Sequence, residues 1–342
     1  MLMIQIRFIP KQAIFPLFSL AALFVSLLLM LTIGTASIGF KDAVALLAKG
    51  MFNIPISEGI DPAYSAILLD IRWPRLVLAM LAGSGLAVSG ACYQAMFNNP
   101  LGDPFILGIS SGAALGAAIA IIMQHSQYLS LFAFLGGVVT IFTVYGLGRT
   151  GPTGLDSNRL LLAGVAFGSL LNALLFALMA INTRQVTEIL FWIMGNLTNP
   201  VENLPAVAAP VLLGGLVIWV HARDLDIITT GDENAKYLGV DVSRIRIIIL
   251  LATALVTGTV VSVCGVIGFI GLIVPHLVRK LAGLQHGTLL PLCAIWGAIF
   301  LLWADGLTRM VPALAQIPVG IVTAMFGSPF FLYILYLGGR GR

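Results

Sequence analysis

Long apolar runs separated by short turns constrain this chain more than any other feature. Residues 14–34, 64–96, 104–123, 129–148, 159–181, 201–221, 245–266, 269–281, 288–304 and 317–337 are dominated by Leu, Ile, Val, Ala, Phe and Gly. About 20 helical residues cross a hydrocarbon core of about 30 Å. Backbone groups in lipid must find partners inside the membrane, which leaves helices or closed barrels. A barrel would show short alternating strands, and these runs do not alternate. The reading is an all-α membrane protein with about ten transmembrane helices. Charged residues make up only 9% of the chain, against about a quarter in soluble domains, so a soluble fold is excluded. The run at 64–96 is longer than a span needs and is expected to tilt or to begin outside the bilayer. The run at 269–281 is short and is expected to enter only part way. The first run follows Arg7 and Lys11, and its apolar core is too long for a signal peptide, so it reads as a span.

The distribution of Lys and Arg sets an orientation. With the N-terminus inside, the inner segments hold Arg7, Lys11, Arg149, Arg159, Arg223, Lys236, Arg244, Arg246, Arg279, Lys280, Arg340 and Arg342. The outer segments hold Lys41, Lys49, Arg72, Arg75, Arg184 and Arg309. The excess predicts cytoplasmic N- and C-termini. The net charge of +4 comes from scattered residues, so nucleic acid is not an expected partner. Arg184, on an outer loop, reads more simply as a solvated charge than as a site for anionic cargo. Cys92, Cys264 and Cys293 lie inside apolar runs without redox or metal-ligand spacing and read as buried small hydrophobes.

A weak internal repeat is present. "LSLFAFLGGVVTIFTVYGLGR" (129–149) resembles "LPLCAIWGAIFLLWADGLTR" (290–309), and Phe-Gly-Ser follows each, at 167–169 and 326–328. The span count places Arg149 inside and Arg309 outside, so the repeats would have inverted topology, a plan common among transporters.

Against this background "GDENAKYLGVDVSRIR" (231–246) is a polar island. Thr230 and Glu233 have capping-box spacing, and Gly239 can end a helix at C′. The expected helix has about eight residues and a length of about 12 Å, too short to span. Ala235, Leu238 and Val240 would form a small apolar face among charges. Such a face suits docking to a cytosolic partner, and a solvated loop is the simpler alternative. "RWPRLVLAMLAGSGLAVSGACYQAMFNNPLGDPFILG" (72–108) begins with Arg72 and Arg75 at an outer helix end, as snorkelling anchors or as a patch for an acidic partner. Its Gly83, Gly85 and Gly90 allow close helix approach, and its proline-broken turn with Asp103 is expected beside a cavity. "GVIGFIGLIVPHLVRK" (265–280) carries His276, which reads as a packing residue. "IPVGIVTAMFGSPFFLY" (317–333) presents Gly320, Thr323, Gly327 and Ser328, a pattern suited to a conduit for bulky cargo. No phosphate-binding G-x-x-x-x-G-K-[ST], H-E-x-x-H or G-x-S-x-G motif occurs, so no catalytic residue, metal site or cofactor is assigned to the chain. Mid-span Asp and Glu are nearly lacking, which argues against an ion-coupled secondary transporter, and a membrane-embedded enzyme lacks any nucleophile–base pair.

Taken together, R-W-P-R, N-P-L-G-D-P-F-I-L-G, G-D-E-N-A-K-Y-L-G-V, G-F-I-G-L-I-V-P-H and P-V-G-I-V-T-A-M-F-G-S-P-F-F-L-Y resemble the FecCD family over about 72–336. These are permease subunits of ABC importers for iron siderophores, haem and cobalamin. The resemblance implies one permease domain over 1–342, of the cobalamin/iron-chelate type with inverted repeats, in the bacterial inner membrane. It implies a homodimer, two cytosolic ATPase subunits that hold ATP and Mg, and a periplasmic substrate-binding protein. Within a cytoplasmic segment at 229–244, Gly231, Asp232, Glu233, Ala235, Lys236, Leu238, Gly239 and Val240 would form the coupling helix. Arg72, Arg75 and Arg309 would meet acidic residues of the binding protein. The path would run along the dimer axis between the fifth and tenth helices, with Ser157 and Asn158 near the cytoplasmic gate. Val266 stands where relatives commonly have Pro, and Gln316 where an acid often precedes I-P-V-G. These departures leave an oxyanion such as molybdate open as alternative cargo.

Overall fold

The structure, a computed structural model, describes residues 11–34, 38–52, 62–150, 154–155, 157–198, 203–310 and 317–339. Arg7, Gln316, Arg340 and Arg342 lie outside them. In chain order the helices are α1 (Lys11–Thr32), α2 (Phe40–Phe52), α3 (Pro62–Ala66), a π-helical turn (Ile67–Arg72), α4 (Trp73–Met96), α5 (Ile109–Ile122) and α6 (Leu129–Gly148). A two-stranded hairpin follows, β1 (Arg149–Thr150) and β2 (Gly154–Leu155), with Arg149 opposite Leu155. Then come α7 (Ser157–Ile181), α8 (Val186–Ile193), α9 (Leu204–Val220), α10 (Ala222–Ile228), α11 (Asp232–Tyr237), α12 (Val242–Cys264), α13 (Ile270–Ala282), α14 (His286–Met310) and α15 (Val319–Gly339).

Each run read as a span coincides with a helix. Among the described residues six are long and apolar enough to cross a membrane, seven if α9 and α10, bent by 55°, count as one. α5, α13 and α15, outside that count, complete the ten. Two details differ from the expectation. The third span begins at Ile109 rather than at 104, because residues 104–107 form turns. The long second run is broken by its π-turn, where the Trp73 N–H donates to Leu68 O. Pro74 lacks an N–H and would crowd the carbonyl four residues back, and the wider turn makes room for it. Helices α2, α8 and α10 have no counterpart in the reading of the sequence.

The internal repeat is visible as packing. α5 and α13 are both short, and each starts from a left-handed residue, Gly108 (φ 76°) and Phe269 (φ 69°). Gly168 of α7 packs on Gly108, and Gly327 of α15 packs on Phe269. These are the central glycines of the two Phe-Gly-Ser triplets. α4–α7 and α12–α15 are thus equivalent series. They run in opposite senses, since α4 ends beside α11, where Arg246 of α12 reaches Met96 O, whereas α12 starts there.

Close backbone contact holds the bundle together. A Cβ on Gly83 of α4 would lie 2.2 Å from Gly297 O of α14, and one on Gly297 would lie 2.3 Å from Gly83 O. Gly90 likewise meets Gly271 O at 2.1 Å, and Gly112 and Gly136 seal α5 against α6. In lipid such van der Waals contact replaces the hydrophobic effect between helices. α1 lies parallel to α14, with Trp296 Nε1 donating to Ser19 Oγ and Trp303 Nε1 to Ser26 Oγ, both at 3.1 Å.

Gly297→Leu must push α4 from α14, at a cost of about 1–3 kcal/mol or more. Gly146→Leu, which meets no atom within 4 Å, should be neutral. Thermal unfolding in detergent is expected to fall for the first variant and not for the second.

Candidate functional site

The polar island folds at the end of the bundle where α4 finishes. α11 is a six-residue helix that starts at Gly231 (φ 107°), shorter than the eight residues expected. The capping box does not form, because the cap position is Gly231, which has no side chain to accept from the helix N–H groups, and the Thr230 hydroxyl donates to Ile227 O at 2.8 Å. Gly239 (φ 85°) ends the helix as expected: its N–H donates to Lys236 O and that of Val240 to Ala235 O, both at 3.0 Å. This is the Schellman pattern. Asp241 then caps α12 by accepting from the Arg244 N–H at 3.0 Å. The apolar face differs from the one expected. Ala235 is buried against Ile228 and Val242, so it seats the helix on its own protein. Tyr237 (89% exposed) and Leu238 (64% exposed) face outward, with Glu233 and Lys236 exposed beside them.

Two charged contacts brace this segment. Asp232 accepts from Arg246 Nη1 at 2.8 Å and Nη2 at 2.7 Å, the bidentate geometry of a strong pair. The buried Arg246 also approaches Met96 O, the last residue of α4, at 3.5 Å. On α10, Asp226 Oδ1 accepts from the His286 N–H at 2.9 Å and lies 2.6 Å from its Nδ1. Asp226 therefore satisfies a free N–H at the start of α14. Reading the sequence missed both partners: Arg246, 14 residues from Asp232 inside the island, and His286, 60 residues from Asp226.

The three arginines converge at the opposite end. Asp305 is fully buried, and its Oδ1 takes Arg75 Nε at 2.8 Å and Nη2 at 2.7 Å. Its Oδ2 lies 3.0 Å from Arg309 Nε. Arg309 Nη1 donates to Met30 O (3.2 Å) and Ile33 O (2.9 Å), and Arg72 Nη1 to Leu31 O (2.8 Å). These carbonyls belong to the C-terminal end of α1, where a helix lacks donors and favours cations. Arg72, only 5% exposed, is thus an internal clamp rather than part of an open patch. The (i, i+4) spacing of Asp305 and Arg309 was readable in the sequence; the role of α1 was not.

The glycine face of α15 also packs inward. Gly320 fits against Met194 O and Val266 O, Gly327 fits against Phe269, and the Thr323 hydroxyl donates to Gly320 O at 3.0 Å. These positions close helix contacts and do not line a conduit within one subunit. Ser328 is half-buried, while Met325, Phe326 and Tyr333 are exposed. Ser157 and Asn158 open α7 beside the hairpin, Ser157 half-buried and Asn158 exposed. In the turn with Asp103, residues 102–104 are buried by protein, and Gly102 packs on the Tyr93–Gln94 backbone. Asp103 accepts from the Phe105 N–H at 2.8 Å, yet burial raises its carboxyl to about 6. His276 is half-buried on α13. Among the described residues no three His, Cys, Asp or Glu side chains converge as a metal site.

A profile described as the FecCD transport family matches residues 22–336. The chain belongs to the FecCD transport family. The cobalamin import permease BtuC of Halobacterium salinarum is 40% identical over 288 residues, 83% of this chain and 77% of that one. The hemin transport permease HmuU of Yersinia pestis is 40% identical over 318 residues, 90% and 92% of the two chains. A solved ABC transporter described as of metal-chelate type, in an inward-facing conformation, superposes with a TM-score of 0.82 at 30% identity, covering 94% of this chain and 98% of that one. FecCD membership and the apolar helices make this a multi-pass membrane protein.

Asp305→Asn leaves the buried arginines without their counter-charge and is expected to cost about 3–5 kcal/mol, read as a lower unfolding temperature in detergent. Asp103 titrates above its ordinary 3.8 in the folded state. Its contribution to stability is complete below about pH 4 and is lost as pH rises through 6, by about 3 kcal/mol at most. Asp103→Asn should therefore raise thermal stability at pH 7.5 and change it little at pH 4.

Proposed function

We propose that this chain is the permease subunit of an ATP-driven, binding-protein-dependent importer, carrying a metal chelate across a bacterial inner membrane by alternating access. The observation that carries this reading is α11, a helix too short to span, presenting Tyr237 and Leu238 outward while Asp232 and Ala235 fasten it to the bundle. Such a surface suits a cleft in a separate cytosolic ATPase, which supplies the ATP chemistry with its Mg. Relatives named for cobalamin and hemin support a bulky metal chelate as cargo over an oxyanion.

Force applied to α11 passes through Asp232–Arg246 to α12 and the end of α4, and from α10 through Asp226 to the start of α14. α4 has 24 residues and spans about 36 Å. With α14 it forms a backbone-tight pair whose far end holds Arg75, Asp305 and Arg309. ATPase closure would thus reach the surface where a binding protein delivers cargo. A second copy is expected along α7 and α15, whose Leu162, Phe176, Met325 and Leu332 are exposed, with the path between the copies. The Lys and Arg distribution puts the start of α1 and the end of α15 on the ATPase side in this reading.

Tyr237→Asp with Leu238→Asp is expected to weaken ATPase association about tenfold or more, about 1.4 kcal/mol, with fold and cargo delivery intact. Pull-down and vesicle uptake check this, and unchanged uptake would remove α11 from the coupling role. Ala235→Asp is not an equivalent test, because it inserts a charge under the helix.

A further inference from the structure

Two cavities run together along the flank of the bundle formed by α1, α13 and α14. The larger, of about 420 Å³, is an apolar shaft walled by Leu277 and Leu281 of α13 and by Trp296, Phe300 and Trp303 of α14. The smaller, of about 210 Å³, lies where α13 finishes and α14 starts, and it carries Gln285 and Thr288 beside Phe15 of α1. Leu281 lines both. Phe15 of the smaller stacks on Trp296 of the larger, with ring centroids 6.3 Å apart. The α14 wall is fixed, because Trp296 and Trp303 each donate to a serine of α1. Along α14 the shaft extends from Trp296 to Leu307, about 16 Å at about 1.5 Å per residue. One leaflet of a hydrocarbon core about 30 Å thick offers about 15 Å. Spread over its length, the shaft has a cross-section of about 26 Å², far below that of a helix about 10 Å in diameter. A polymethylene chain fits it and a partner helix does not.

The mouth has the opposite chemistry. Gln285 and Thr288 are exposed, and neither side chain makes a hydrogen bond among the described residues. Lys280, exposed and directly before Leu281, makes no ion pair among them. Arg279 gives its guanidinium to Gln94 Oε1 and Ala91 O, neither of which carries charge. Asp226, the carboxylate that reaches this end of α14, is engaged by the His286 N–H and lies against its Nδ1. Among the described residues no acidic side chain lines either cavity, and residues 1–10, which lead into α1, contain none. The Lys and Arg distribution puts this end of the bundle on the cytoplasmic side, and cationic clefts between helices there attract anionic lipid headgroups. A soluble anion would leave the shaft unused, and a neutral hydrocarbon would leave the mouth unused. We propose that this groove seats one anionic phospholipid of the cytoplasmic leaflet, its phosphate held by Lys280, Gln285 and Thr288 and one acyl chain lying along Trp296, Phe300 and Trp303. So placed, the lipid joins α1, α13 and α14, and its binding needs neither cargo nor ATPase.

The test uses the full-length permease, stripped of lipid in detergent, and reads quenching of its tryptophans by phospholipids with brominated acyl chains. Saturable quenching is expected, at least tenfold tighter for phosphatidylglycerol than for phosphatidylcholine. The chain has five tryptophans, and Trp296→Phe with Trp303→Phe should remove the saturable component. Lys280→Glu with Thr288→Glu should weaken phosphatidylglycerol at least tenfold. Both positions are exposed, so phosphatidylcholine binding and the unfolding temperature in detergent should not change. Mass spectrometry of the intact permease gives a second readout: one phosphatidylglycerol per chain retained by the wild type and lost from that variant. Equal affinity for the two phospholipids, or undiminished phosphatidylglycerol binding by the variant, overturns the proposal. Displacement of the lipid by glycerol 3-phosphate at like concentrations would assign the mouth to a soluble anion. Quenching that vanishes when two copies associate would assign the shaft to a second copy. Either result also overturns it.

Discussion

Backbone contact between α4 and α14 at Gly83 and Gly297 is the constraint from which the rest of the architecture follows. With each residue's would-be Cβ within 2.3 Å of the other's carbonyl oxygen, no side chain larger than hydrogen fits at the crossing. The two helices consequently act as a single antiparallel strut. α1 is laid along it by the Trp–Ser hydrogen bonds, and α13 crosses it at Gly90 and Gly271.

The ends of this strut carry the charges that the apolar interior excludes. At one end Asp305 lies between Arg75 and Arg309, while Arg72 and Arg309 satisfy the terminal carbonyls of α1. Burying ions is costly unless they are paired, and here α1, α4 and α14 together supply the pairing. At the other end Asp232–Arg246 and Asp226–His286 fasten a short surface helix to α12, α4 and α14. Both ends thus use charged side chains to join separate helices. A rigid connection between an exposed surface helix at one end and a buried ion cluster at the other lets a displacement at one surface reach the opposite one.

Much of the plan was legible in the sequence. Each apolar run became a helix because lipid leaves the backbone no other local solution. The repeat proved real, with Gly168 and Gly327 packing on equivalent left-handed residues. Gly239 ended α11 as its position implied. The errors share a cause. Ala235 was expected on a docking face and the glycines of α15 along a conduit, and within the subunit both pack against neighbouring elements. Arg72 was assigned to a docking patch and is an internal clamp. Residue type and spacing define a face of a helix, but they do not say what that face meets.

The sequence by itself determined an all-helical membrane fold, its inverted halves and the place of its polar island, because those depend on local apolarity and periodicity. Only the tertiary structure decided that Asp305 ties α14 to α4 through Arg75, that Tyr237 and Leu238 face outward in place of Ala235, and that Arg75, Asn196 and Val319 share one cavity. The Asp305–Arg75 pair and the lining of that cavity bring together residues more than a hundred positions apart, and side-chain partners across such distances are set by how the helices cross.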